Sequence, residues 1–133
     1  MRRALREGVG LGVLALAASA AVAAPPTPLK QAHDLALAHA AWPPGRSWLA
    51  ANKGKAGEVV IPVLNRCLPD PPGDELTAFS VYLRLSQKGR ILEIVTEIDV
   101  QLGRCMTHEA REVQLPEAPR EDFWMQVNLA AGL

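Results

Sequence analysis

The sequence predicts an α+β fold, a small three-stranded antiparallel sheet with a helix packed across one face, and three observations carry it. Residues 78–100 and 122–130 alternate apolar and polar side chains with the period of two that a half-buried strand requires. Residues 29–42 and 101–113 instead repeat apolar side chains near helical spacing. A further apolar run, 58–64, also reads as a strand.

In chain order, residues 1–23 come first. Arg2, Arg3 and Arg6 precede an apolar run over 9–18, followed by Ala21-Val22-Ala23. A basic head, a short apolar segment and an A-x-A site describe a secretory signal peptide, cleaved here after Ala23. The run is short and rich in Gly and Ala, against the roughly 20 apolar residues of a membrane span; an uncleaved anchor is the alternative. Removing 1–23 leaves 110 of the 133 residues, one small domain. Arg2, Arg3, Arg6 and Glu7 go with the leader, so 11 basic and 13 acidic side chains remain and the net charge is about −2. Such a chain has no basic footprint for nucleic acid.

Residues 24–57 form a Pro-rich leader and a helical arm, and 58–133 the α+β domain. Within the arm, 29–42 is an Ala-rich helix ended by Pro43-Pro44-Gly45. A short helix follows from Ser47 as N-cap to about Asn52, and Lys53-Gly54-Lys55-Ala56-Gly57 breaks it. In the strand expected at 58–64, Pro62 cannot donate to a ladder, so that strand lies at an edge or is irregular. A loop runs over 68–74. In the hairpin, Phe79, Val81, Leu83 and Leu85 face inward from the first arm. Leu92, Ile94, Thr96, Ile98 and Val100 do so from the second, and Gly89 supplies the turn. The helix 101–113 carries Leu102, Cys105, Met106, Ala110 and Val113 on or near one stripe, and the rigid Leu115-Pro116-Glu117-Ala118-Pro119 leads to the last strand. There Phe123, Met125, Val127 and Leu129 face in, with Trp124, Gln126 and Asn128 facing out.

Catalytic chemistry finds no support, and no cofactor or small-molecule substrate is indicated. None of the serines lies in a G-x-S-x-G elbow. Glu93, Glu97 and Asp99 line one side of a strand, whereas glycosidase carboxylates face each other across a cleft. His33 and His39 are six apart and point to different sides of a helix. Cys105 and His108 stand at i and i+3, and Cys67 would make a third zinc ligand. An even pair of cysteines in an exported chain is more simply a Cys67–Cys105 disulfide, contributing roughly 3–4 kcal/mol. A binding role suits the chain better. The final strand is a candidate open edge for β-augmentation, and Trp124, Gln126 and Asn128 are its candidate contact residues. The other reading of Trp124 is that the helical arm covers it.

Phe79-Ser80-Val81-Tyr82-Leu83-Arg84-Leu85 and Lys88-Gly89-Arg90-Ile91-Leu92-Glu93-Ile94, with Leu115-Pro116-Glu117-Ala118-Pro119 before the last strand, resemble the C-terminal domain of the TonB/TolA energy transducers. The match covers about 59–129. It implies a periplasmic domain that binds an envelope or outer-membrane protein without catalysis. The long spacer of the transducers is absent, so the resemblance is to a stand-alone relative that transmits no force. A disulfide-stapled accessory envelope protein is the alternative. Residues 48–60 also resemble the linker of exported FKBP-type prolyl isomerases, but no such catalytic domain follows.

Overall fold

A computed structural model describes residues 25–68 and 78–130. The leader expected over 1–23 lies outside them, as does most of the loop expected at 68–74. Three helices and three strands are present: α1 (Leu29–Ala41), α2 (Pro43–Cys67), β1 (Ala78–Leu85), β2 (Ile91–Thr96), α3 (Val100–Glu109) and β3 (Phe123–Ala130). The strands form one antiparallel sheet in the order β2-β1-β3. This is the α+β class the alternation predicts. Among the described residues, no helix is long and apolar enough to cross a membrane.

The strand expected at 58–64 is helix, and the short helix expected at 47–52 is only part of the same continuous α2. The prolines at 43 and 44 explain its start. A residue before proline is driven to extended backbone, and Trp42 sits at φ −77°, ψ 127°, closing α1. Proline is also pre-organised for the first helical turn, so the same residues that end α1 begin α2. Further along, Ala56, Val60, Val63 and Leu64 are buried at i, i+4, i+7 and i+8, a helical stripe facing the core. That packing overrides the β-branched run. Gly54 and Gly57 have open space around them, and Pro62 is exposed, so the breakers fall away from the core. The division expected at 57/58 therefore lies inside one helix.

α2 and α3 cover one face of the sheet. Leu83, Leu85, Phe123, Met125, Val60, Val63 and Met106 are the bulk of that core. A disulfide joins Cys67, the last residue of α2, to Cys105 in α3, and Arg66 pairs with Glu109 3.0 Å away. Asp99 caps α3 by accepting the Leu102 N–H at 2.7 Å. The expected single helical layer is thus two helices, and a third, α1, lies on the opposite face.

The hairpin differs from strict alternation at one place. Arg84 pairs with Glu93 but Leu85 pairs with Ile91, so Leu92 is an extra residue bulged out of register. Ile91 takes the core position, and Leu92 is exposed. Ile98 and Val100, expected inward, fall beyond the end of β2 and are exposed. Gly89 adopts φ 91°, and any Cβ there would collide with the Leu115 carbonyl. The connection after α3 lies against this turn: the Leu115 N–H donates to Gly89 and the Ala118 N–H to Gln87, at 3.0 and 2.8 Å.

Candidate functional site

β2 and β3 are the two edges of the sheet, and they are treated differently. On β2, the outward Ile94 N–H donates to the Thr107 hydroxyl of α3 at 2.9 Å, and that hydroxyl donates to the Gly103 carbonyl at 2.8 Å. Glu93 holds the segment before α1: its carboxylate accepts the Thr27 N–H and the Thr27 hydroxyl, both at 2.8 Å. An open groove of ≈ 990 Å³ runs between residues 25–29, β2 and α3, with Leu92, Val100 and Arg104 among its walls. Helix and N-terminal segment together cover the β2 edge.

On β3, backbone groups alternate between β1 and the outer side. The Trp124 N–H points outward and donates to Nδ1 of His39 at 2.8 Å. Alternation then places the outward amides of Gln126 and Asn128 on the same side. Among the described residues, no hydrogen bond reaches those two amides from outside the sheet. No residue from Phe123 to Ala130 is charged. Among the described residues this is an open edge, without the charges that usually blunt one.

Of the expected contact residues, Trp124 is 3 % exposed and lies beneath α1 with Ala32, Leu35, Ala36, Tyr82 and Val95. It is the helical arm, not water, that covers this side chain. Gln126 and Asn128 lie past the end of that cover, half-buried and exposed. They share one polar cluster with Ser80: the Ser80 hydroxyl donates to Asn128 Oδ1 at 2.7 Å, and Gln126 Nε2 donates to Ser80 Oγ at 2.9 Å and Asn128 Oδ1 at 3.1 Å. The Ser80 N–H donates to Glu97 at 2.7 Å beyond the end of β2.

His39 is the residue that spacing arguments passed over. It is buried, stacks on Phe123 with centroids 5.4 Å apart, and falls at i+7 from Ala32 and i+3 from Ala36 on the stripe facing the sheet. That position on the stripe was its only signal. Burial first, and the Arg120 cation second, push its pKa below the ordinary 6.5. His33 contacts the Tyr82 hydroxyl at 2.9 Å. Burial, then the charge of Glu97, raises the Tyr82 pKa. The cysteines are joined to each other, and exposed His108 contacts Arg111 at 2.8 Å. No group of three metal-binding side chains occurs among the described residues. Compared with protein-family models, curated proteins and solved structures, the chain matches none of them.

Proposed function

We propose that the chain is a non-enzymatic periplasmic protein-binding domain of the TonB/TolA C-terminal type, engaging an envelope protein through the outer edge of β3. The open, uncharged edge at Gln126 and Asn128 carries this reading. Main-chain groups of an extended partner segment pair with those amides, and the side chains beside the edge select among segments. The Ser80–Gln126–Asn128 cluster supplies neutral donors and acceptors for that selection. The leader-like sequence at 1–23 and the disulfide support an oxidising, extracytoplasmic setting. The disulfide equally favours a second reading, a stapled accessory envelope protein with no strand-edge partner.

A pull-down from envelope extract separates the two. The first reading expects one specific partner at low micromolar concentration, with amide shifts confined to β3 and lost in Asn128→Pro, which removes an edge donor. Recovery of no partner, or a partner whose binding leaves β3 amides unshifted, overturns it.

A further inference from the structure

The hydrogen bond that joins β3 to α1 is accepted by the ring nitrogen of a histidine, and that bond exists in only one protonation state. Nδ1 of His39 accepts the Trp124 N–H, so the ring proton of the neutral form must sit on Nε2. A second proton goes to Nδ1. The acceptor then becomes a donor, and two N–H groups face each other at 2.8 Å inside a buried contact. The Trp124 amide loses its partner, and a charge is buried against the Phe123 ring.

Among the described residues no charged group compensates that charge, and the favourable backbone hydrogen bond to Trp124 is outweighed by burial and by Arg120. Arg120, in the connection before β3, is a like charge acting on the ring. Asp122, next to β3, is engaged by Arg84 of β1 at 2.8 Å, and Glu121 accepts the Gln87 N–H at 2.7 Å. Arg46, in the first turn of α2, donates to the Ala41 carbonyl. Phe123 and Trp124, the β3 residues touching His39, carry no charge. Gly45 of α2 packs so closely on the His39 carbonyl that a Cβ there would collide with it, so the His39 backbone cannot relieve the conflict by shifting toward α2.

We propose that His39 is an acid-sensitive latch: protonation of its ring releases the C-terminal half of α1 from β3, uncovers Trp124 and adds the Trp124 amide to the open edge. The latch itself stands on the α1–β3 geometry. Its consequence for binding, a longer edge at acid pH, rests on the strand-edge reading above. The sign follows from linkage. The folded form holds the ring neutral and the released form does not, so the released form binds the proton more tightly. The closed contact is fully stable above about pH 6.5. It weakens as pH falls from there to the lowered folded-state value.

The test is an NMR titration of the oxidised protein from pH 7.5 to 4.5, following the ring signals of all three histidines and the exchange of the Trp124 amide. The expected result is a His39 ring that titrates below the ordinary histidine value of about 6.5. Trp124 amide protection, corrected for intrinsic exchange, should fall about tenfold per pH unit within the window. His39→Asn keeps an acceptor oxygen in place of Nδ1 and does not titrate, so the pH-dependent loss disappears. Arg120→Gln removes the like charge and moves the transition to higher pH. A His39 ring that protonates while Trp124 protection stays constant overturns the latch, whether or not the variants fold. No partner is present in this experiment, so failure of the latch and failure of the strand-edge reading remain distinct results.

Discussion

The two faces of the sheet are built to different standards. On one, α2 and α3 enclose a continuous core of large side chains and are joined by a disulfide. On the other, the apolar side chains that α1 packs on Tyr82, Val95 and Trp124 are Ala32, Leu35 and Ala36. It is fastened at its start by Thr27 on Glu93 and near its end by His39 on Trp124. Small side chains let α1 lie close to the sheet but bury little apolar area, and buried area sets the hydrophobic stabilisation. The α2–α3 face holds the fold, while α1 is a cover held by polar fastenings.

Perturbing each face in turn sharpens this contrast. Phe123→Ala empties a fully buried site of the closed face, where the ring meets Trp48 and His39, and should cost about 3–5 kcal/mol. Denaturant midpoints should show it as loss of the whole cooperative transition at modest urea. Replacing Cys67 and Cys105 by Ala leaves the same contacts but frees a 38-residue separation in the unfolded chain, for a loss of roughly 3–4 kcal/mol. Thermal melts with and without reductant should show the same displacement in the unmodified protein.

On the covered face, Glu93→Ala removes the acceptor of both Thr27 bonds and should cost about 1.5–3 kcal/mol. Its signature is local: hydrogen exchange should accelerate in α1 while α2, α3 and the β1–β3 pairing remain protected. Equal acceleration in all elements would dissolve the distinction between the faces. The smallest change is a gain. Gly54 is an exposed residue within α2 with nothing around it, so Gly54→Ala should add about 0.5–1 kcal/mol, read as a higher urea midpoint.

The hairpin, β3, the cysteine pair and the Leu102–Met106 part of the α3 stripe were legible in the sequence because each rests on local periodicity or simple pairing. The helix expected to run to 113 ends at Glu109, which leaves Ala110 and Val113 beyond it. The inward set Phe123, Met125, Val127 and Leu129 lies where alternation puts it. The run at 58–64 misled because Val59, Val60 and Ile61 have strand propensity, and Pro62 resists a helix interior. Only the spacing of Ala56, Val60, Val63 and Leu64, which tertiary packing uses, reveals α2. Leu92 could not be placed because a bulge is a property of two strands. Of the candidate site, the open edge at Gln126 and Asn128 was readable from β3 ending the alternating segments. The burial of Trp124 depends on which face α1 chooses, and the role of His39 on a bond to a residue 85 positions away.

The bond between Cys67 and Cys105 also fixes what a protease can accomplish. It encloses β1, β2 and the start of α3, so a single cut anywhere between the two cysteines opens the chain without dividing the molecule. The two pieces migrate as one species until a reductant is added. A cut outside that interval sheds a fragment at once. Comparing reduced and unreduced digests therefore maps each cleavage to one side of the ring or the other, before any fragment is sequenced.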